Sequence, residues 1–330
     1  MEKPTLLIDG DYLLKRGDKG AKNVFYKQKQ KGALFNFVST LRMLINKFKP
    51  GKVIVFWDSE GEKIRKELYP YYKQNRTGET KEELIEQRYR IYEYLEQLFI
   101  RQLESGKSEA DDLIAYYTQV SNENCIIYTG DRDLCQLINE RVKVYLPDKS
   151  ILVDHENFIK HFNYPIDNAA LVKTLLGCKT DNVFGIKGLG DTTLYKLLPE
   201  INNEVLSLDK VKKILNERID SFTGKEKTTL NAILNGETKF GIMGESFFEL
   251  NDKLVNLKNP ILNEEQKEEL DIIINGVIDP ENRTYKNVIK MMMEDGIYNL
   301  IPKSGDGWID YFQPFLIIMK QEKRKFENLK

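Results

Sequence analysis

Three apolar runs in the first half of the chain are each followed by an aspartate, either directly or after one glycine. The runs cover residues 5–8, 52–57 and 125–129, and the aspartates are Asp9, Asp58 and Asp131. Continuous apolar strands separated by helices are typical of a parallel sheet that is covered on both faces. The carboxyl ends of such strands share one edge, where ligands bind. The sequence therefore predicts an α/β fold with three carboxylates at that edge.

Helical periodicity fills the intervals between these runs and continues to the end of the chain. The segments in the first half are residues 34–48, 82–103 and 111–120, and those beyond residue 200 are 204–219, 265–274 and 285–293. A further β-branched run at residues 142–146 predicts a fourth strand nearer an edge of the sheet. The order of the segments indicates an α/β domain followed by a mostly helical one.

The scarcity of cysteine and histidine excludes several kinds of site. The chain has three cysteines and two histidines, His155 and His161, and none of the cysteines forms a Cys-x-x-Cys pair. This pattern fits neither a zinc finger nor a disulfide framework. No apolar run approaches the ~20 residues of a membrane span, and the N-terminal residues lack a secretory signal. We therefore expect a cytoplasmic protein without a membrane partner.

Charge is unevenly distributed, although the formal net charge is only −1. Lysine and arginine cluster in residues 15–31, 63–76 and 320–330. A solvated surface is the ordinary explanation for such clusters. Because the total is nearly neutral, the compensating acids are concentrated elsewhere in the chain.

Further acids extend the set that follows the apolar runs. They are Glu109, Asp111, Asp112, Asp133 and Asp181. A helix cap explains Ser108 and one acid after it, but three acids in four residues exceed what a cap needs. Carboxylates that converge on one edge repel one another unless cations bind, and carboxylate oxygens are the ligands that Mg²⁺ and Mn²⁺ prefer. The sequence therefore predicts a pair of divalent ions, the arrangement that hydrolyses phosphodiesters.

The acids occur within an ordered set of motifs. The motifs are Leu7-Ile8-Asp9-Gly10, residues 31–37, Val55-Phe56-Trp57-Asp58, Tyr72-Lys73-Gln74-Asn75-Arg76, Glu109-Ala110-Asp111-Asp112, residues 129–133, and Asp181-Asn182 followed by Gly185-Ile186-Lys187-Gly188-Leu189-Gly190. In this order, over residues 5–198, they resemble the metal-dependent 5′-nuclease or flap-endonuclease superfamily, including its stand-alone phage members. The resemblance implies a parallel-sheet PIN-like (resolvase-like) nuclease domain and a second, mostly helical domain containing a helix-hairpin-helix.

The resemblance also implies a role for each acid and for three neighbours. Asp9, Asp58, Glu109 and Asp111 would hold the first metal, Asp131, Asp133 and Asp181 the second, and Asp112 belongs to the acidic set in bacterial and phage members. Asp111 would bridge the two ions. Lys73 and Arg76 would contact the scissile phosphate at the base of a helical arch over residues 60–105. Tyr72 would stack on the end base.

A glycine-rich segment predicts a duplex-binding element over residues 171–198. The glycines Gly185, Gly188 and Gly190 permit a tight turn whose backbone N–H groups approach phosphates, beside Lys187 and before Thr192 and Thr193. An ordinary helix–helix turn is the alternative. In relatives this element can hold a K⁺ ion. One departure from the family pattern is Cys178, a soft thiol where many members have a carboxylate.

We therefore expect a nuclease domain over residues 1–165 and a helical DNA-binding domain over 166–330. The implied activity is Mg²⁺-dependent 5′-3′ exonuclease and flap endonuclease action on duplex, flap or nicked DNA and on RNA–DNA hybrids. It includes ribonuclease H activity, and Mn²⁺ is expected to substitute for Mg²⁺. Its expected task is RNA primer removal in phage DNA replication, performed by a monomer in the host-cell cytoplasm.

The apolar stretch at residues 311–319 predicts either a core helix or a docking surface for a single-strand binding protein or sliding clamp. Two other functions stay open. One is a PIN-type ribonuclease that acts on single-stranded RNA, and the other is a non-catalytic structure-specific DNA-binding protein. Cleavage assays with and without Mg²⁺ distinguish them.

Overall fold

The computed structural model describes residues 3–60, 63–76, 81–239, 244–301 and 307–328. Strands alternate with helices in the first half, and helices predominate in the second. The strands are β1 (Thr5–Asp9), β2 (Phe25–Tyr26), β3 (Lys29–Gln30), β4 (Lys52–Phe56), β5 (Arg101–Leu103), β6 (Cys125–Tyr128), β7 (Val142–Leu146), β8 (Ile151–Val153), β9 (Gly177–Cys178) and β10 (Val183–Phe184).

The helices confirm most of the segments expected from periodicity. They are α1 (Gly10–Gly20), α2 (Gly32–Phe48), α3 (Ile64–Leu68), α4 (Glu82–Gln97), α5 (Ala110–Val120), α6 (Phe158–Phe162), α7 (Ala169–Leu176), α8 (Asp191–Leu197), α9 (Leu208–Glu217), α10 (Gly224–Asn235), α11 (Glu245–Val255), α12 (Glu264–Asn275), α13 (Tyr285–Glu294) and α14 (Trp308–Glu327).

The main sheet has the parallel arrangement expected from the sequence. Its strand order is β5-β4-β1-β6-β7-β8. The first five strands in this order run parallel, and β8 pairs antiparallel with β7 at one edge. Because β4, β1 and β6 are neighbours, their carboxyl ends lie side by side. This edge, formed by the carboxyl ends of β1, β4 and β6, is called the rim below. Asp9 is the last residue of β1, Asp58 lies two residues after the end of β4, and Asp131 lies three residues after the end of β6.

The prediction of one long helix over residues 82–103 is wrong for residues 98–103. Helix α4 ends at Gln97, and Phe99 adopts a left-handed backbone conformation with a φ of 59°. The chain then turns into β5, which pairs with β4. Buried apolar residues continue through this change of structure, so helical periodicity alone does not mark where the helix stops.

Alternate residues of β1 point into two apolar cores, one on each face of the sheet. Leu6 and Ile8 pack into a core formed with α1, α2, α4, α13 and α14. Leu7 packs into a second core formed with α5 and the helices from α7 to α12. Both cores therefore join residues from the two sides of position 165. The domain division at that position stays a prediction.

The apolar stretch at residues 311–319 is part of a core helix. Phe312, Phe315 and Ile318 of α14 are buried in the same core as α2, and Arg42 of α2 donates through Nε to the carbonyl oxygen of Tyr311 (2.8 Å). None of the helices in the described ranges is both long and apolar enough to cross a bilayer.

A buried ion pair fastens α14 to the edge of the sheet. The side chains of Arg101 on β5 and Glu322 on α14 are 6% and 1% exposed, and their Nη1 and Oε2 atoms lie 2.7 Å apart. The same guanidinium donates to the carbonyl oxygens of Ile273 and Gly276 at the end of α12 (3.2 and 2.7 Å). Loss of one partner would leave the other charge buried without its counter-ion.

Glu322→Ala is expected to lower the free energy of unfolding by about 3–5 kcal/mol, the usual cost of removing one partner of a buried ion pair. Denaturant unfolding measures the change. Glu327→Ala, at an exposed position of the same helix, is the control and should stay within about 0.5 kcal/mol of wild type. Equal stability of the Glu322→Ala variant and the wild type would contradict the fastening role.

Candidate active site

Two aspartates of the rim are held by backbone groups at the starts of helices. Asp9 accepts hydrogen bonds from the backbone N–H of Tyr12 in the first turn of α1 (2.9 Å) and from the hydroxyl of Thr129 (2.8 Å). Oδ1 of Asp58 accepts from the backbone N–H of Ala110, the first residue of α5 (2.9 Å). The starts of both helices therefore fix carboxylates at the strand ends.

Crowding at the rim raises the pKa of three carboxyl groups. Burial, followed by the charge of Asp58, raises the pKa of Asp9 to about 7. Burial and the charges of Asp131 and Asp9 raise the pKa of Asp111 well above its ordinary value. Part of the Asp131 side chain reaches solvent, yet the surrounding protein and then the charge of Asp133 raise its pKa to about 6. Negative charge at the rim is therefore unfavourable until a cation binds.

The acids predicted for a second metal lie together beside α7. The backbone N–H of Asp133 donates to Oδ1 of Asp131 (2.8 Å), and the charge of Asp181 contributes to the raised pKa of Asp131. Two cations already contact this group. Nζ of Lys173 lies 2.5 Å from Oδ1 of Asp133, and Nη2 of Arg76 lies 2.6 Å from Oδ1 of Asp181.

Glu109 is a buried carboxylate held by three donors. It is 4% exposed and accepts hydrogen bonds from Nη1 of Arg65 (2.8 Å), from the hydroxyl of Tyr72 (2.9 Å) and from Nζ of Lys73. Burial opposes its ionisation, but the positive charges of Lys73 and Arg65 outweigh burial and lower the pKa of Glu109 to about 2. Glu109 is therefore anionic at neutral pH.

The donor set fits hard divalent ions, which prefer carboxylate oxygens and keep several waters. Within the described ranges, no three His, Cys, Asp or Glu side chains form a group already arranged to hold an ion. The shared pKa shifts nevertheless show that these carboxylates are close. Three of the acids are instead held by protein cations: Lys73 contacts Glu109, Arg76 contacts Asp181 and Lys173 contacts Asp133.

Asp112 is held by Arg65, and its predicted place among the metal-binding acids stays a prediction. It is 1% exposed, and Arg65 binds both of its oxygens, with Nη2 lying 2.9 Å from Oδ1. Oδ1 also accepts from the backbone N–H of Ile261 (3.0 Å). Successive residues of a helix point about 100° apart, so Asp112 turns away from the side that Asp111 faces. In this arrangement Asp112 orients Arg65.

The aromatic side chain exposed at the base of the predicted arch is Tyr71. Tyr72 is 3% exposed, packs with Tyr69 and Val183, and donates its hydroxyl hydrogen to Glu109. A ring buried in this way cannot stack on a base, so the stacking predicted for Tyr72 is wrong. Tyr71 is 57% exposed.

Asp11 is a rim residue that the sequence analysis did not identify. Its Oδ2 accepts from the backbone N–H of Asp58 (2.7 Å) and lies 3.8 Å from Nη2 of Arg88 on α4. Burial and then the charge of Asp58 raise the pKa of Asp11. Its position two residues after Asp9, directly after the motif Leu7-Ile8-Asp9-Gly10, was the available signal. Arg88 also donates to the carbonyl oxygen of Asp58 (2.6 Å), which ties α4 to the rim.

Cys178 is a buried thiol that contacts one of the predicted ligands. It is 7% exposed, and its Sγ lies 3.0 Å from Oγ1 of Thr180 and 3.5 Å from Oδ2 of Asp181. Burial, followed by the charge of Asp181, raises the pKa of the thiol. The neutral S–H group can therefore donate to Asp181 and orient it from the protein side.

The glycine-rich segment lies at the surface between α7 and α8. Strands β9 and β10 form a short antiparallel ribbon within it. A Cβ at position 185 would lie 2.2 Å from the carbonyl oxygen of Leu176, so the close approach requires glycine there. Among the residues predicted here to contact DNA, Lys187, Gly188, Gly190 and Thr192 are exposed, and Gly185 and Thr193 are half-buried. The helix-hairpin-helix over residues 171–198 and its K⁺ ion stay predictions.

Comparisons with known proteins agree with this geometry. A family model described as "5'-3' exonuclease, N-terminal resolvase-like domain" matches residues 4–163. The chain is 30% identical over 253 residues to a 5′-3′ exonuclease of Halalkalibacterium halodurans, and the alignment covers 72% of this chain and 80% of that protein.

Solved structures share the fold. A structure of the T5 5′-exonuclease with bound zinc ions is similar with a TM-score of 0.63 at 20% identity, covering 82% of this chain and 98% of that one. A complex of a bacteriophage T5 flap endonuclease with DNA and metal ions has a TM-score of 0.58 at 19% identity and covers 88% and 99% of the two chains. The likeness shows a resolvase-like α/β nuclease fold with a helical part.

Asp9→Asn is expected to raise the melting temperature of the metal-free protein at pH 8. The pKa of Asp9 is raised from 3.8 to about 7, so its contribution to stability is full below about pH 4 and is lost as the pH rises through 7. The wild-type melting temperature in EDTA should therefore fall by ~2 °C or more between pH 5 and pH 8, and the variant should lose this part of the fall.

Asp271→Asn, at an exposed position of α12, is the control for this titration and should follow the wild type. A variant at Asp9 whose melting temperature falls with pH as steeply as that of the wild type would show that crowding at the rim does not destabilise the ionised carboxylates.

Proposed function

Because the chain belongs to the family of 5′-3′ exonucleases, we propose that it hydrolyses phosphodiester bonds from 5′ ends of duplex, flap and nicked DNA with the help of two divalent ions. Mg²⁺ is the proposed ion, with Mn²⁺ as a substitute. The observation that carries the proposal is the convergence, at one rim, of acids that raise one another's pKa with the cations Lys73 and Arg76. Acids that attract metal and cations that attract phosphate are what this chemistry needs.

The carboxylates divide into two groups with one residue between them. Asp9, Asp58 and Glu109 would hold one ion, and Asp131, Asp133 and Asp181 the other. The charges of both Asp9 and Asp131 raise the pKa of Asp111, which suits a residue that would bind both ions. Bound divalent ions lower the pKa of a water molecule and stabilise the charge on the phosphate and on the leaving oxygen.

Lys73 and Arg76 would orient the scissile phosphate. Both are cations beside the carboxylates, and a phosphate oxygen that replaces a carboxylate as their partner keeps charge-assisted hydrogen bonds. Arg76 is suited to bind two oxygens at once because its guanidinium is planar. Tyr71, which is exposed and adjacent to this turn, is available to stack on the terminal base.

The surface segment between α7 and α8 would hold the duplex by its backbone. Exposed glycines and Lys187 suit contacts with phosphates, and such contacts carry no sequence information. The same contacts are available on an RNA–DNA hybrid, so we extend the proposal to ribonuclease H activity. A K⁺ ion in this segment belongs to the same proposal.

The biological task that suits these substrates is removal of RNA primers during phage DNA replication. A nuclease that cuts hybrids at 5′ ends and also cuts flaps can clear a primer and the DNA displaced beside it. We propose that the enzyme acts as a monomer in the host-cell cytoplasm. A single-strand binding protein or sliding clamp that docks on the C-terminal part would recruit it to the fork.

The first experiment compares a 5′-labelled flap, a nicked RNA–DNA hybrid and a single-stranded RNA, each with Mg²⁺ and with EDTA. We expect cleavage of the flap and the hybrid in Mg²⁺ only. Asp131→Asn should lower cleavage at least about 100-fold, because it removes a charge on which ion binding depends, while duplex binding in Ca²⁺ persists. Preferential cleavage of the single-stranded RNA would favour the PIN-type alternative, and duplex binding without cleavage of any substrate would favour the non-catalytic one.

A second experiment separates phosphate orientation from duplex binding. Lys73→Ala is expected to lower turnover by about 10-fold or more with little change in duplex affinity, because its side chain acts at the cut site. Lys187→Ala is expected to weaken duplex binding and to reduce its salt dependence, because it removes one backbone contact. Turnover and filter-binding measurements at several salt concentrations test both. Equal loss of binding in the two variants would remove the distinction.

A further inference from the structure

The side chains of Lys73 and Arg76 form ion pairs with two carboxylates, Glu109 and Asp181, that the proposed function makes metal ligands. Nζ of Lys73 contacts Oε1 of Glu109 and lies 4.0 Å from Oδ1 of Asp181, and Nη2 of Arg76 lies 2.6 Å from the same oxygen of Asp181. Each carboxylate therefore has two competing partners, the cation and a metal ion. Each cation likewise has two, the carboxylate and a phosphate.

Backbone and asparagine hydrogen bonds keep these two segments together independently of the ion pairs. Residues 71–76 and 179–182 are joined by hydrogen bonds that do not use the charged ends. They run from Lys73 N to Asp181 O (2.8 Å), from Asn75 Nδ2 to Lys179 O (2.9 Å) and from Asn182 Nδ2 to Tyr71 O (2.8 Å). The side chains can consequently change partners while the segments stay in register.

We propose that the two ion pairs form a latch that phosphate and metal open together. The substrate's phosphate binds Lys73 and Arg76, and the divalent ion binds Glu109 and Asp181. The inference rests on the proposed function and deepens it, because it makes the binding of the two ligands mutually dependent. Glu109 is 4% exposed and also pairs with Arg65, which it shares with Asp112, so removal of Lys73 without a replacement leaves this buried carboxylate only partly compensated. A simultaneous exchange leaves every charge paired.

The latch has a thermodynamic consequence. Without nucleic acid, a divalent ion must displace a cation and leave it without a partner, so its affinity is low. With a 5′ end bound, the cation already has a phosphate partner, so the affinity rises. By linkage, the ion raises the affinity for nucleic acid by the same factor.

Calorimetric titration of Ca²⁺ into the full chain, with and without a flap oligonucleotide, measures this coupling without relying on cleavage. We expect the oligonucleotide to raise Ca²⁺ affinity about 5-fold or more. Arg76→Ala should raise Ca²⁺ affinity in the absence of the oligonucleotide and lose most of the enhancement, because it removes the closer of the two cations that compete for Asp181.

Lys179→Ala is the matched control for the loss of one positive charge. Lys179 is exposed and lies two residues from Asp181, and in the described part of the chain its side chain forms no ion pair with Glu109 or Asp181. An increase in Ca²⁺ affinity in this variant equal to that of Arg76→Ala, or an oligonucleotide that leaves wild-type Ca²⁺ affinity unchanged, would overturn the latch.

Cleavage of the flap by the wild type in Mg²⁺, measured in parallel, keeps the two proposals distinct. Active wild-type protein without coupling overturns only the latch. Protein that neither cuts the flap nor binds Ca²⁺ overturns the proposed function as well. Coupling that is present in the wild type and absent in Arg76→Ala supports both.

Discussion

Repulsion among carboxylates at one rim of the sheet is the constraint on which the rest of the site depends. The parallel order of β4, β1 and β6 brings Asp9 and Asp58 together at their carboxyl ends. Burial and neighbouring charges then raise the pKa of Asp9 and Asp111. Helix starts, lysines and arginines around the rim supply positive charge that partly offsets this repulsion. A fold that concentrates acids in this way is suited to bind cations.

The fold was largely predictable because its strands are short, apolar and followed by turn residues. The parallel sheet, its helices on both faces and most helix positions followed from periodicity. The end of α4 did not, because buried residues continue into β5 and the break depends on a single left-handed residue, Phe99. The return of α14 to the core of the first half also lay beyond the sequence, since Arg101 and Glu322 are distant in the chain.

The site was predictable in its main acids and less so in the direction of individual side chains. Motif spacing identified the residues near the rim, but it could not show that Asp112 turns toward Arg65 or that Tyr72 is buried. Those outcomes depend on helix rotation and on partners far along the chain. Asp11 was missed although it directly follows the motif that contains Asp9, because the hydrogen bond that holds it comes from the backbone of another strand end.

Anomalous diffraction from crystals soaked in Mn²⁺ tests whether the rim binds two divalent ions. We expect two anomalous peaks, one among Asp9, Asp58, Glu109 and Asp111 and one among Asp131, Asp133 and Asp181. We also expect that Lys73 and Arg76 have left at least one of their carboxylate partners. A rim without anomalous signal, with both ion pairs intact at saturating Mn²⁺, would contradict two-ion binding.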